Sequence, residues 1–238
     1  MATSTPLPTP TKTAVPTATA TATPTAPTTG LAGYWRFDEG SGSTTTTGPG
    51  GTSNSGTLTG GTTWNATGRF GAAVTFDGSS GYIPAVNVTN MPAANAAQSI
   101  SWWLMVSTNP STVQDIVGLS NQASSSAVQP GFRNGQIGVW QYGGAFLVSA
   151  TPPTAGAWHH YVYTYDGSPG TQGTHKLYID GVLVNSNATL APQTASPSLL
   201  EFGRWAGNSE YFAGSLDDVR IYNRALTAAE VQTLSTQP

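Results

Sequence analysis

Short apolar and aromatic runs alternate along the chain with segments rich in Gly, Asn, Ser and Pro. The runs have the length and the residue types that are typical of β-strands. They are 31–37, 72–76, 99–106, 136–142, 158–165, 175–179, 182–184, 199–203 and 217–222. No pattern alternates strands with long helices, so a parallel sheet is not expected. The chain is therefore predicted to be an all-β antiparallel protein.

One hairpin can be predicted in detail, from the segment KLYIDGVLV. Its Asp180-Gly181 dipeptide lies between alternating apolar residues, which indicates a two-residue type I′ turn. In that register Ile179 lies opposite Val182, and Leu177 lies opposite Val184.

A short helix is predicted at the end of the chain. Thr227 is a suitable N-cap, and Glu230 follows three residues later to complete a capping box. Leu226 and Val231 are placed to form a hydrophobic staple across the cap. The chain is thus expected to finish as a strand, a short turn and a capped helix.

The first thirty residues differ in composition from the rest, with 12 Thr, 6 Pro and 6 Ala. Such a segment has almost nothing to bury and is predicted to be a Thr/Pro-rich linker. Spacers of this kind tether modules of exported or wall-attached proteins, so we expect an extracellular or cell-surface location within a larger multidomain chain. A disordered tail is the alternative. Residues 31–238 are then one domain of normal size.

Charge and hydropathy restrict the partners that we expect. Only 8% of the residues are charged, and the eight Lys and Arg form no basic run. Neither a nucleic acid nor an anionic membrane is indicated. No apolar stretch approaches a membrane span, and residues 1–30 contain no hydrophobic signal-peptide core. The chain has no Cys, so disulfides are excluded.

Two adjacent carboxylates, Asp217 and Asp218, open the last predicted strand. Neighbours in a strand point to opposite faces, so the two side chains are expected to diverge. Diverging carboxylates cannot flank one glycosidic bond as acid and base. Asp217 shares its alternation with Val219 and Ile221, where an unpaired carboxylate is costly. Asp218 is expected to pair with Arg220 or with solvent.

The segment SLDDVRIYNRALTAAEVQTL resembles the C-terminal signature of laminin G-like jelly-roll domains, members of the concanavalin A-like lectin/glucanase superfamily. Further segments resemble this family in the same order: GYWRFDEGSGST, GRFGAAVTFDGSSGYI, SISWWLMV, GAWHHYVYTYDG and LYIDGVLV. The resemblance covers residues 31–238. It implies a two-sheet antiparallel β-sandwich of jelly-roll type, with a face and a loop rim available for ligands.

The catalytic patterns of this superfamily are not found in the sequence. The glucanase pattern Glu-x-Asp-x-x-Glu is missing, although Glu201 and Glu210 lie on neighbouring predicted strands and could converge. The Gln-Ile-His motif of alginate lyases is also missing, since Gly138 stands where its His would be. His160 matches a His that recurs in the family, where it is more often structural. The chain is therefore expected not to be an enzyme.

A structural calcium ion is the cofactor that the resemblance implies, because many members bind one at an edge of the sandwich. Asp217 matches the first Asp of the family's Val-Arg-Ile-Tyr strand, and Asp38 and Asp77 lie in Gly-rich turns. Calcium prefers six to eight oxygen ligands, which carboxylates and turn carbonyls supply. The alternative is that these aspartates only accept hydrogen bonds from turn amides.

Aromatic side chains are the expected ligand-binding groups. Alternation places Trp102 in the core and Trp103, Trp140 and Tyr142 on an open sheet face. Trp205 lies in a predicted loop together with Arg204 and Asn208. A ring beside polar groups can stack on a sugar and bind its hydroxyls. Packing in the core or on a sheet is the alternative for each ring.

The sequence thus predicts a non-catalytic extracellular module that binds carbohydrate. A structural or adhesion domain that binds protein is the second hypothesis, and a glycan-cleaving enzyme is the third.

Overall fold

The computed structural model describes most of the predicted domain. The described residues are 1–2, 25–46, 55–86, 91–92, 96–120, 128–141, 146–149, 151–167, 174–188, 199–205 and 209–238. The remainder of the predicted linker, 3–24, lies outside them.

The described residues form seventeen strands and one helix. The strands are β1 Leu31–Trp35, β2 Thr44–Thr45, β3 Ser55–Thr57, β4 Thr63–Asn65, β5 Ala73–Asp77, β6 Ile83–Val86, β7 Gln98–Met105, β8 Gln114–Asp115, β9 Val117–Ser120, β10 Val128–Arg133, β11 Gln136–Gln141, β12 Phe146–Val148, β13 His159–Tyr165, β14 His175–Ile179, β15 Val182–Asn187, β16 Leu199–Phe202 and β17 Ala213–Tyr222. The helix is α1 Ala228–Leu234.

The strands form two antiparallel sheets, which confirms the predicted jelly-roll sandwich. Sheet A has the order β15-β14-β13-β7-β17-β5-β4, with β1 also paired to β17. Sheet B has the order β12-β11-β10-β9-β16-β6-β3-β2, with β8 paired to β10. We call the face of each sheet that is turned away from the other sheet its outer face.

One large core lies between the sheets. Its aromatic members come from both sheets, and many of them, such as Trp35, Trp102 and Phe202, are fully buried. The predicted alternation of β7 is confirmed, because Ile100, Trp102 and Leu104 all belong to this core. The apolar residues of the strands therefore point inward, and the residues between them form the outer faces.

A two-residue turn with left-handed backbone connects β14 to β15. Asp180 and Gly181 have φ of 49° and 81°, as the type I′ prediction requires, and Ile179 pairs with Val182. Beyond that pair a bulge shifts the register, so that Leu177 lies opposite Asn185. The predicted pairing of Leu177 with Val184 is wrong for this reason.

Helix α1 covers part of the outer face of sheet A. Its N-cap is Thr227, and both hydrogen bonds of the predicted capping box to Glu230 are present. Leu226, Val231 and Leu234 pack on sheet residues that include Tyr222 and form a second apolar cluster with them. Among the described residues, no helix has both the length and the apolar character needed to cross a membrane.

A bulge in β17 changes what its two carboxylates face. Asp217 pairs with Trp103 and Arg220 with Ser101, so three steps along β17 match two steps along β7. Asp218 is the inserted residue, with φ of 52°. An inserted residue reverses the alternation that follows it. Strict alternation predicts that Asp217 lies with the apolar residues that follow it. Because of the bulge, Asp217 lies on the outer face of sheet A instead.

The prediction that Asp217 and Asp218 diverge is wrong for the same reason. Asp218 Oδ2 lies 2.5 Å from Arg220 Nη1, and both side chains are only 2% exposed. The guanidinium of Arg220 lies 4.0 Å from the ring centre of Tyr34. The predicted pair of Asp218 with Arg220 is thus present, and it is buried on the same outer face as Asp217.

Candidate functional site

A row of residues runs across the outer face of sheet B. In register, Trp140 of β11 lies beside Gln129 of β10, and Glu201 of β16 lies between Gly118 of β9 and Pro84 of β6. Neighbouring strands are about 4.8 Å apart, so the row is roughly 20 Å long. Trp140 is half-buried, as a side chain on an outer face should be.

Trp205 lies over the middle of this row. A Cβ atom placed on Gly118 would lie 3.2 Å from Trp205 Cα and 3.4 Å from its Cδ1. Gly118 is flanked by two core residues, so its missing side chain would point to the outer face. The glycine therefore leaves the space in which the half-buried Trp205 lies, two strands away from Trp140.

Arg133 organises one end of the face. Its guanidinium lies 4.9 Å from the ring centre of Trp140, and its Nη2 lies 2.6 Å from Asp115 Oδ1 and 3.6 Å from Glu210 Oε2. Asp115 is completely buried. Burial is the main cause that raises the pKa of Asp115 to about 7, and the contact with Glu210 adds to it while Arg133 opposes it. The guanidinium of Arg133 thus contacts the ring of Trp140, and Asp115 and Glu210 fix the position of that guanidinium.

Arg204 organises the other end. Its Nε and Nη2 donate to the two carboxylate oxygens of Glu201 at 3.0 and 3.2 Å, and its Nη1 donates to Tyr211 Oη at 3.3 Å. The guanidinium also lies 3.5 Å from the ring centre of Tyr82. The sequence-predicted residues Trp140, Trp205 and Arg204 are therefore brought to one face.

The remaining predicted ligand residues are not on that described surface. Trp103 is 4% exposed and lies on the outer face of sheet A beneath the loop that holds Arg69 and Phe70. The guanidinium of Arg69 is 4.5 Å from its ring centre. Trp103 is therefore packed rather than open, which corrects its assignment to an open face. Tyr142 and Asn208 lie outside the described residues.

Asp217 and Asp38 both hold the loop 68–72. Asp217 Oδ2 accepts the N–H of Phe70 at 2.9 Å, and Asp38 Oδ1 accepts the N–H of Ala72 at 3.0 Å. Asp38 Oδ2 also lies 2.9 Å from Arg36 Nε. The two predicted calcium ligands are thus brought to one loop, but mostly through amide hydrogen bonds.

Asp77 caps its own turn, and in the sheet it pairs with Ala213, which lies four residues along β17 from Asp217. Its carboxylate accepts the N–H groups of Ser79, Ser80 and Gly81, and these bonds lower its pKa well below the usual range. About 13 Å of strand therefore separates it from Asp217.

The described acidic side chains do not form a calcium-binding cluster at this place. No group of three or more His, Asp or Glu that could hold a metal is found among the described residues. One oxygen of Asp38 also pairs with the guanidinium of Arg36, and this positive charge would repel a bound cation. The hydrogen-bonding alternative fits these aspartates better, and the calcium hypothesis stays a prediction.

The carboxyl groups described on the outer face of sheet B, and the buried His160, do not have the spacing or exposure of a glycosidase pair. Asp115 and Glu210 are in direct contact, whereas a glycosidase needs its two carboxyl groups about 5–10 Å apart. Glu201 is bound by Arg204. His160 is fully buried, its Nε2 lies 2.8 Å from Ser101 Oγ, and burial lowers its pKa to about 3. It cannot reach a substrate at the surface.

Sequence reasoning missed Arg133, Asp115 and Gln129. A signal was present, because Asn134-Gly135 is a type I′ turn dipeptide and both residues have positive φ. That turn pairs Arg133 with Gln136 and so places Arg133 on the face of Trp140. No local sequence pattern indicated Asp115, because its contact with Arg133 forms only through pairing across the sheet.

The family model of the concanavalin A-like lectin/glucanases superfamily matches residues 77–232, which is well over half of the chain. A comparison with curated protein sequences gives no match.

Solved structures with the same fold have low sequence identity. Domain 4 of AbnA, a GH43 extracellular arabinanase from Geobacillus stearothermophilus, in complex with arabinotriose, is 21% identical with a TM-score of 0.66, covering 86% of this chain and 98% of that one. The binding domain of Paraclostridial Mosquitocidal Protein 1 is 15% identical with a TM-score of 0.70, covering 87% and 52%. A Trypanosoma rangeli sialidase is 15% identical with a TM-score of 0.62, covering 88% and 33%. Such likeness establishes the fold alone.

Proposed function

We propose a binding function for this chain, which belongs to the concanavalin A-like lectin/glucanases superfamily. It is a non-catalytic recognition module that binds carbohydrate on the outer face of sheet B. The observation that carries the proposal is the alignment of Trp140 and Trp205 on that face, each next to fixed polar groups. Aromatic faces stack on sugar rings, and convergent polar groups orient the hydroxyls.

The geometry suits an oligosaccharide rather than a single sugar. Trp140 and Gly118, over which Trp205 lies, are two strands apart, roughly 10 Å. Each ring can therefore contact a different sugar of one chain. The structural neighbour that was solved in complex with arabinotriose supports this ligand class, although its low sequence identity establishes the shared fold only.

The experiment is a panel of polysaccharides, with arabinan among them, measured by titration calorimetry against the full chain. We expect Trp140→Ala and Trp205→Ala each to weaken binding about tenfold, since stacking of this kind contributes about 1 kcal/mol beyond its buried area. Trp64→Ala is the matched control, because Trp64 is a half-buried ring of sheet A. It should bind like the parent.

Binding that is unchanged in both sheet B variants would show that the site is elsewhere. Melting curves of all three variants verify that the fold is intact.

We also propose that the module acts outside the cell, attached through residues 1–30 to further domains. The affinity of a single module for the glycan is then weak. Several tethered modules that bind one polymer have a higher overall affinity, because the tether raises their effective concentration. The Thr/Pro-rich composition supports this proposal.

A protein-binding role is the second candidate, because Val182, Leu183 and Val184 are 62, 48 and 42% exposed on β15 at the edge of sheet A. Exposed apolar patches often mark contacts with another protein. A chain that binds no glycan of the panel would favour this role.

A further inference from the structure

The cations of this protein are distributed unevenly between the two sheets. Apart from Lys12, every Lys and Arg lies in a described segment. Among these, only Arg133 and Arg204 lie on the outer face of sheet B. The others belong to sheet A or to segments packed beside it: Arg36, Arg69, Lys176, Arg220 and Arg224.

Arg133 is committed to protein partners. Besides its contacts with Asp115 and Glu210, its Nη1 donates to the carbonyl oxygen of Phe132 at 2.8 Å. Its side chain is 17% exposed, and that of Asp115 is fully buried. Asp115 cannot move into solvent, so a ligand that displaced it would leave a buried carboxyl without its cation.

Arg204 is committed in the same way. Glu201 binds it with both oxygens, a geometry in which two parallel hydrogen bonds strengthen the ion pair. The two side chains are 16 and 11% exposed. An anionic ligand would have to compete with a partner that is already aligned and partly desolvated.

The charges of the face therefore exclude an anion. Its two guanidiniums are matched by three carboxyl groups, those of Asp115, Glu201 and Glu210. An incoming carboxylate or sulfate finds no unpaired cation and meets at least as much negative as positive charge. A hydroxyl group, by contrast, can donate a hydrogen bond to a carboxylate oxygen of Glu201 or Glu210.

We infer that the outer face of sheet B selects uncharged glycans and rejects uronate-, sialate- and sulfate-bearing ones. The inference rests on the proposed carbohydrate function and adds the class of glycan that the face accepts.

The test is an array of neutral glycans printed beside their acidic counterparts, followed by titration of the best pair. The parent should bind the neutral member at least about tenfold more tightly. Its affinity for that member should stay constant between about 0.05 and 0.5 M salt, because no net charge is neutralised.

Removing one carboxylate should change this selectivity. Glu201→Gln leaves Arg204 with excess positive charge, and Glu210→Gln removes one of the two carboxyl groups beside Arg133. Each variant should bind the acidic glycan up to about fivefold more tightly than the parent does, and salt should abolish the gain. Glu230→Gln is the matched control, since it releases Arg224 beside helix α1. Glu230→Gln should bind the acidic glycan with the same affinity as the parent.

Two results would overturn the inference while the proposed function stands. One is a parent that prefers acidic glycans, with binding that weakens in salt and is lost in Arg204→Gln. The other is unchanged discrimination in both Glu201→Gln and Glu210→Gln, provided that both melt like the parent. An array on which no glycan binds would instead refute the proposed function, and the inference with it.

Discussion

Two buried carboxyl groups contribute to the way in which the stability of this protein responds to pH. Asp217 is fully buried, and its Oδ1 has no hydrogen-bond partner. Burial is the main cause that raises its pKa to about 7, although the N–H of Phe70 opposes the shift. The pKa of Asp115 is also raised to about 7, again mainly by burial. Both groups therefore keep a proton in the folded chain that they lose in the unfolded chain.

The free energy of unfolding should consequently fall as the pH rises from about 4 to about 7. In this window Asp115 and Asp217 each hold a proton that the unfolded chain loses, whereas His160 lacks one that the unfolded chain binds below about pH 6.5. The two aspartates outnumber the histidine, so the slope of stability against pH is negative. The contribution of each group is complete below pH 4 and is lost as the pH passes its folded pKa; a shift of this size corresponds to roughly 4 kcal/mol at most.

Asp217→Asn should remove part of that slope, as urea unfolding at a series of pH values would measure. An amide oxygen can still accept the N–H of Phe70 and carries no charge. Asp77→Asn is the control, because the lowered pKa of Asp77 affects stability only as the pH falls below 4. A slope that is identical in the parent and in Asp217→Asn would contradict the assignment.

Chelation separates the two interpretations of Asp38 and Asp217. Both carboxyls accept amide hydrogens of the loop 68–72, so we expect the same melting temperature in calcium and in excess chelator. An ion that bound only the folded state would add about 2.7 kcal/mol at a hundred times its dissociation constant. A melting point that falls in chelator, with the difference abolished in Asp217→Asn, would show a calcium site instead.

At the scale of elements, the two sheets differ in what packs on their outer faces. Helix α1 buries Val231 and Leu234 against sheet A, and the loop 68–72 covers Trp103. Among the described residues, no helix lies on the outer face of sheet B, which carries only the loop that holds Arg204 and Trp205. Its outer face thus keeps the half-buried rings of Trp140 and Trp205, whereas Trp103 on the outer face of sheet A is buried by packing.

The cap of helix α1 can be tested by two substitutions. Thr227→Ala removes the oxygen that accepts the N–H of Glu230 and should cost about 1 kcal/mol, or a melting temperature about 2–4 °C lower for a domain of this size. Thr227→Ser keeps the hydroxyl and should melt close to the parent. Equal melting of Thr227→Ala and the parent would mean that packing alone holds the helix.

At the scale of the whole molecule, the start of the domain contacts its end. Tyr222 Oη donates to the carbonyl oxygen of Pro27 at 3.0 Å, and Arg224 Nε donates to that of Thr29 at 2.7 Å. Ala26 packs on the cluster beneath helix α1. Contacts with the domain therefore begin before residue 31, inside the segment that composition assigns to the linker.

Two truncations test where the linker ends. A chain that begins at residue 26 should melt like the parent, because it keeps Ala26, Pro27 and Thr29. A chain that begins at residue 31 loses these contacts and should melt several degrees lower, since each lost hydrogen bond contributes about 1 kcal/mol. Equal melting of both chains would support the boundary after residue 30.

The sequence by itself determined the elements whose causes are local. Alternation along β7 predicts which of its residues enter the core, and Asp180-Gly181 sets a turn through its own backbone preferences. The capping box of Thr227 and Glu230 lies within four residues. Each of these depends on neighbours in the chain, so each could be predicted from a short segment.

Only the tertiary structure decided what depends on pairing across the sheets. The bulge at Asp218 turns Asp217 to the outer face, because β17 must match the shorter path of β7. Asp115 reaches Arg133 only through the pairing of β8 with β10. Strand register brings distant segments of the chain into contact, and an inserted residue reverses the face to which every later side chain of the strand points. The sequence therefore predicts that rings are available for binding, and the packing decides which of them remain open.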